Sequence, residues 1–512
     1  MMKSRREQEL EIENKRLRKE NEELKKTVKI QQKQLKQKDE QLEDLEKSNK
    51  IKENRELKRE NGILKSDLKK ANEVIKEKNN EIANLVARIK KDSTNSSKPS
   101  STDSICTKRV HIVSNRKKGG KNGGQFIHKG HTFSKEDVEK LKGQENVVYE
   151  LKEIGKKNKK YKSKYVVDLK VLTTITEYRY YEQEDGTYDI PVDMLPEVQY
   201  GPISKALMCY LSAEMMAPLN KISSFFKQIT NGAFKLSEGT IVNVQKSLDK
   251  KLTPVVEEIK NRLIKAEVLH VDETGVRING KLNWLHTACT NDLVYYEVDE
   301  KRGEEAIDNI GILAYFVNIL VHDHWKSYYK KEYMTHAECN AHILRYLKGI
   351  LEIGKQKDIE DLIKLFVKMN EDKKHAVENG STKFDDSVIE EYYTTYTNIL
   401  NGWRKDLNGR MKKTKNIEYF KDELNLLNRL EEYKDNHLLF IRNFEVPFDN
   451  NLAERSLRMI KTKTKVSGGF KTDGGAKTFA KIRSFFSTCK SQTSNIIEST
   501  MNVFEGNEYE LA

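Results

Sequence analysis

The sequence predicts a mixed α/β protein: a mixed-sheet core with a long helical insertion, preceded by a coiled coil and a mostly helical region. Three observations carry this prediction. Residues 5–92 are mostly Lys, Glu, Asn, Gln and Leu with an apolar 3.5-residue repeat. Residues 268–298 read as three strands joined by tight turns. A helical pattern and a fourth strand then run to residue 323.

The 512 residues allow two or three domains. Lys and Arg number 93 against 79 Asp and Glu, a net charge of +14 that favours a polyanionic partner such as nucleic acid. The chain has no apolar run of membrane-spanning length and no apolar segment behind Met1-Met2-Lys3-Ser4-Arg5-Arg6, so no membrane association and no export are expected. The expected location is the cytoplasm, in association with the nucleoid. Cys106, Cys209, Cys289, Cys339 and Cys489 form no CxxC pair, which excludes a disulfide framework.

In the N-terminal repeat one seam runs Leu17, Asn21, Leu24, Val28, Gln31, Leu35, Leu42, Leu45, and a phase-shifted one runs Leu57, Asn61, Leu64, Leu68, Ala71, Ile75, Ile82, Leu85, Ile89. Two outcomes fit this pattern: a homo-oligomer through the coiled coil, or a fold-back near residues 51–56. Residues 93–131 form a Ser/Gly-rich basic linker in which Arg116, Lys117, Lys118 and Lys121 are candidate phosphate contacts; a merely solvated linker is the alternative. Residues 132–200 alternate like short strands (147–149, 165–171, 178–181) and contain no cysteine to hold zinc. Residues 201–260 read as helices, with a turn at Asn231-Gly232 and an N-cap at Ser237. They make either a helix-turn-helix DNA-binding region or an ordinary helical hairpin.

The core occupies residues 261–340 and 446–505, split by a helical insertion at 341–445. Its first strand ends in Val271-Asp-Glu-Thr274 and its fourth in His322-Asp323. A three-strand meander, a crossover helix and a parallel strand begin a ribonuclease-H-like (retroviral-integrase-like) fold, in which strands one and four are neighbours. Asp272 and Asp323 are then adjacent, as a shared metal site needs. Glu273 alternates to the opposite strand face. Asn450, Glu454 and Arg458 lie four residues apart on one helix face, which makes Glu454 the preferred third carboxylate. Arg455, Lys461, Lys463, Lys465 and Lys471 surround a glycine turn, Ser467-Gly-Gly-Phe470, suited to backbone contact with phosphate. Three oxygen donors suit two Mg²⁺ ions, with Mn²⁺ as a substitute, about 3.5–4 Å apart. Cys339 and His342 have ligand spacing, but no second such pair exists and zinc is not expected. Trp325 is a candidate platform for a flipped base.

Taken together, these motifs resemble the transposases of the insertion sequence 66 family. The matching pieces are Asn95-Ser-Ser-Lys-Pro99, Gly123-Gly-Gln125, His128-Lys-Gly-His131, Val271-Asp-Glu-Thr274 and Asp323 with Tyr328-Tyr329. Cys339-Asn-Ala-His342, Asp449-Asn-Asn-Leu-Ala-Glu-Arg455 and Ser467-Gly-Gly-Phe470 complete the set. The resemblance implies an Asp-Asp-Glu triad at Asp272, Asp323 and Glu454, which are both the catalytic residues and the metal ligands. It also implies metal-dependent strand cleavage and strand transfer at the terminal inverted repeats of an insertion sequence. The partners implied are double-stranded DNA at element ends and target, and accessory proteins of the same element; Asn450 and the basic residues named above are the candidate DNA contacts. The chain departs from the family in lacking a cysteine-containing zinc segment within 132–200 and in reading Ile343-Leu344-Arg345 where paired arginines are usual. The alternatives are a metal-dependent nuclease on the same fold and a non-enzymatic DNA-binding scaffold.

Overall fold

The computed structural model describes residues 5–47, 51–89, 134–142, 144, 147–152, 163–191, 198–352, 356–413 and 417–512. The basic strap with Arg116, Lys117, Lys118 and Lys121, and the motifs at 95–99 and 123–131, lie outside them. The chain divides into two compact units, one of Met1–Asp103, Val198–Ile222 and Ser237–Ala512, the other of Ser104–Glu197 and Ser223–Leu236.

The N-terminal repeat forms two long helices, α1 (Arg5–Lys47) and α2 (Ile51–Ile89). They pack antiparallel within the chain: the Asn21 amide donates to Asn79 Oδ1 and the Asn61 amide to Asp39 Oδ1, each at 2.9 Å. Leu17, Val28 and Leu42 are buried in this seam along with both asparagines. Of the two arrangements the repeat allowed, the chain adopts the fold-back.

In the smaller unit, helix α3 (Lys135–Leu141) starts on a capping box in which Ser134 and Asp137 satisfy each other's backbone N–H groups. The strands expected within 147–181 are absent among the described residues of this unit, where the one isolated β-bridge is Glu182 to Tyr188. Alternation stabilises a strand only if one face is covered, and here Val166, Leu169 and Ile175 stay over 80 % exposed.

Helix α4 (Pro202–Cys209) runs into a π-turn, Tyr210–Glu214, and is followed by α5 (Leu219–Ile229), α6 (Glu238–Lys251) and α7 (Thr253–Ile264). Ser237 caps α6 by accepting from the Thr240 N–H. The sheet follows: β1 (Val268–Ile278), β2 (Lys281–Cys289), β3 (Val294–Asp299), then α8 (Glu304–Ile310), β4 (Ile319–His322), the single turn α9 (Lys326–Tyr329), and β5 (Thr335–Glu338). Asn279 and Gly280, both at positive φ, make the tight β1–β2 turn. The strand order is β3-β2-β1-β4-β5, with β1–β2 and β2–β3 antiparallel and β1–β4 and β4–β5 parallel. The expected mixed α/β class is therefore realised as a five-stranded mixed sheet, one strand wider than the sequence indicated.

The insertion comprises α10 (Asn340–Leu351), α11 (Lys357–Glu378), α12 (Asp386–Lys412), α13 (Lys421–Glu432) and α14 (Lys434–Arg442). Its buried residues, among them Phe366, Tyr396, Trp403 and Phe440, merge with Val321 of β4 and Ala337 of β5 in one hydrophobic cluster. The chain returns through α15 (Asn451–Ser467), α16 (Asp473–Ser491) and α17 (Ile496–Glu505). Helix α16 lies along β3, where the Ser484 and Thr488 hydroxyls accept the Tyr296 and Val294 N–H groups at 2.8 and 3.1 Å. No helix among the described residues is long and apolar enough to cross a membrane.

The glycine turn after α15 is fixed against β1. Phe470 N–H donates to the Arg277 carbonyl at 2.7 Å, and Asn279 N–H donates to the Phe470 carbonyl at 2.8 Å. Gly469, at φ +131°, passes so close that a Cβ would lie 2.4 Å from the Arg277 oxygen. The turn expected to present N–H groups to phosphate thus spends the Phe470 N–H on the sheet. Gly469→Ala is expected to cost about 2 kcal/mol or more, read as a lower urea midpoint. Gly474→Ala, whose Cβ meets nothing, is the control, and an equal loss at both positions would contradict this account.

Candidate active site

Parallel strands β1 and β4 pair through His270 and Val321. Carried two residues further, the same register sets Asp272 opposite Asp323, just past the end of β4; β1 itself continues to Ile278, beyond the strand end at Thr274 that the sequence indicated. Helix α15 crosses this point. Buried Asn450 just before it donates from its amide to the Val271 carbonyl at 2.8 Å and accepts from His270 Nδ1 at 2.9 Å. One turn later, Ser456 meets Thr287 Oγ1 at 3.3 Å, and its carbonyl accepts from the Tyr296 hydroxyl at 3.0 Å. These anchors on β1, β2 and β3 fix the turn of α15 that carries Glu454, whose charge is felt at Asp272.

Asp272 feels the charge of both other carboxylates. Burial, followed by the charges of Glu273, Asp323 and Glu454, raises the Asp272 carboxyl well above its ordinary range. Burial and then Glu273 push Asp323 up to about 6, although it accepts the Trp325 N–H at 3.0 Å. Burial also raises Glu454, against the opposing pull of Arg345. Glu454 divides its oxygens: Oε2 lies 3.5 Å from Arg345, while Oε1 lies 3.8 Å from Cys339 Sγ and 3.5 Å from His342 Nδ1.

Glu273 does not stand apart as its alternation suggested. Its side chain is buried, accepts from Arg302 Nε at 2.9 Å and from the Tyr328 hydroxyl at 2.6 Å, and its charge reaches both aspartates. The Arg302 guanidinium is stacked between Trp284 and Trp325, 4.7 and 4.5 Å from their ring centres. Trp325, the expected base platform, therefore has one face covered by Arg302.

The expected DNA contacts separate into two groups. Asn450 is 1 % exposed and wholly engaged with β1, so its amide is out of reach of a duplex; it anchors the helix. Lys463 is partly buried, its ammonium 5.6 Å from the centre of the Phe479 ring. Arg455, Arg458, Lys465 and Lys471 are exposed, and Lys461 is half-buried.

Sequence reading missed Glu338, the last residue of β5. It is 2 % exposed and binds Arg429, His324 and Tyr329, with His437 Nδ1 3.5 Å away. Burial alone would raise its carboxyl, but His437, His324 and Arg429 together hold it well below the usual carboxylate range. A single acidic residue in a four-residue strand carries no sequence signal for such a role.

No curated protein matches the chain. The profile described as transposase IS66 family matches residues 197–478, more than half of the 512 and including the sheet, the insertion and all three carboxylates. The chain therefore belongs to the transposase IS66 family, and is a DNA-binding enzyme of DNA transposition that uses divalent metal.

Proposed function

We propose that this transposase cuts and rejoins DNA at the terminal inverted repeats of its element, with Asp272, Asp323 and Glu454 as the catalytic, metal-holding triad of a ribonuclease-H-like domain. The observation that carries this reading is the β1–β4 register, which puts Asp272 opposite Asp323 where parallel strands part, with Glu454 close enough for its charge to raise Asp272. The strand order β3-β2-β1-β4-β5, a meander followed by parallel crossovers, supports the ribonuclease-H-like assignment.

The donor set fits the group it is proposed to hold. All three ligands are carboxylates, and burial together with neighbouring carboxylates raises Asp272 and Asp323 above their ordinary range, a cost that a bound cation would relieve. Hard oxygen donors of that kind select Mg²⁺, or Mn²⁺ in its place, over softer ions. Bound there, two such ions supply Lewis acidity to the entering and leaving oxygens of an in-line phosphoryl transfer. The remaining work falls to the chain's own side chains. Asn450 and Ser456 fix α15, and with it Glu454, on the sheet. The Glu273–Arg302–Tyr328 cluster ties the middle of β1 to α9 next to Asp272 in the chain. Arg455, Arg458, Lys461, Lys465 and Lys471 supply positive charge on and just after α15 for the DNA backbone, which they position without reading sequence. The helical segment within 201–260 and the basic strap at 116–121 are the candidates for binding the inverted repeats.

The test is a strand-transfer assay on the full chain with Mg²⁺ and duplexes carrying element ends with free 3′-OH groups. Joined products are expected. Cutting without joining would favour a nuclease, and neither activity a DNA-binding scaffold. Binding should also be steeply salt-dependent. Arg458→Ala is expected to lower the slope of log K against log salt by about 1 and to weaken all sequences alike. A sequence-dependent loss would instead make Arg458 a base-reading residue.

A further inference from the structure

Cys339, His342 and Glu454 are the one group of three metal-capable side chains among the described residues whose donor atoms all lie within 4.8 Å of one another. Cys339 is the fully buried N-cap of α10, and His342 sits one turn into that helix. Glu454 reaches them from α15 through Oε1, because Arg345 takes Oε2. His342 Nδ1 is buried without a hydrogen-bond partner. An imidazole nitrogen left so has a lone pair to offer.

We infer that Cys339, His342 and Glu454 form a site for one soft divalent ion of the Zn²⁺ class, and that filling it holds Glu454 away from Asp272 and Asp323. One thiolate, one imidazole and one carboxylate, with a fourth position open, is a donor set that suits Zn²⁺ and disfavours Mg²⁺. Binding is a ligand exchange: the Cys339 S–H bond is replaced by a sulfur–metal bond and the proton leaves to solvent. The sequence offers no second Cys/His pair, and the fold supplies the third donor from a helix more than a hundred residues away. Two ions of different softness then compete for one glutamate. Soft metal inhibits, and Mg²⁺ relieves the inhibition as it recaptures Glu454. That second half rests on the proposed role of Glu454; the site itself does not.

The test uses Co²⁺ as a spectroscopic stand-in for Zn²⁺ on the full chain, in a Cys106→Ser background. One equivalent of Co²⁺ is expected to give a thiolate-to-cobalt charge-transfer band that Zn²⁺ abolishes and Mg²⁺ at moderate concentration leaves. Cys339→Ser and His342→Gln, each checked for parental circular dichroism, should lose the band. A band that never forms, or that survives in both variants, overturns the site. In the activity arm, Zn²⁺ should inhibit Mg²⁺-supported strand transfer in the parent and not in Cys339→Ser. Equal inhibition in both would overturn the competition for Glu454. A Cys339-dependent band in a chain with no strand-transfer activity would refute the catalytic proposal and leave the metal site standing.

Discussion

Asp323→Asn is expected to lower strand cleavage and strand transfer by roughly 10³-fold or more, the equivalent of several kcal/mol of lost metal-borne stabilisation. The Trp325 N–H now bonds Asp323 Oδ1, and an asparagine oxygen accepts it equally well, so the turn after β4 should keep its shape. DNA binding should survive, since it depends on the exposed basic residues. Retained activity in a variant that binds DNA normally would remove Asp323 from the triad.

The same substitution has a second expected effect, on stability without metal. Asp323 titrates at about 6 in the folded chain against an ordinary 3.8. A raised carboxyl favours folding fully below the unfolded value, and the contribution is lost as pH rises through the folded one. The metal-free parent should therefore lose on the order of 2–3 kcal/mol between about pH 4 and pH 6 from this group. In Asp323→Asn that part of the pH dependence should disappear, and Mg²⁺ should restore the parent near neutrality. Parallel pH–stability curves for parent and variant would contradict the assigned burial.

Glu338→Ala is expected to be the most damaging single change to stability, at roughly 3–5 kcal/mol. The wild-type side chain compensates Arg429, which is 10 % exposed, and lies against His437, which is wholly buried. Removing the carboxylate leaves the guanidinium charged with no partner in a low-dielectric setting, and frees the hydroxyl of Tyr329 and the ring of His324. Glu338→Gln, which keeps the shape and loses the charge, should fall between the two. Urea unfolding measures all three. A loss under about 1 kcal/mol for Glu338→Ala would mean that Arg429 readily finds water.

Much of the sheet was legible because its signals are local. Alternation, the Asn279-Gly280 turn and the apolar stretch before Asp323 are each set by neighbouring residues, and they delivered β1 to β4 and the juxtaposition of Asp272 and Asp323. Strand β5 is four residues long, too short for a period to show. The hub at Glu338 depends on Arg429 and His437 arriving from α13 and α14, which no local pattern announces. Asn450 reads as a polar residue on a charged helix face; only docking on β1 reveals it as a buried anchor. Among the described residues of 147–181 the alternation is clear in the sequence, but Val166, Leu169 and Ile175 lie exposed and no strand forms.

The sheet's two borders are held by side chains of the same chain. On β3 the outward N–H groups of Val294 and Tyr296 are taken by hydroxyls of α16, and on β5 the His336 carbonyl accepts the Asn436 amide at 2.8 Å. A further strand could pair at these positions only by displacing those hydrogen bonds, so polar side chains end the sheet where covering apolar ones alone would not.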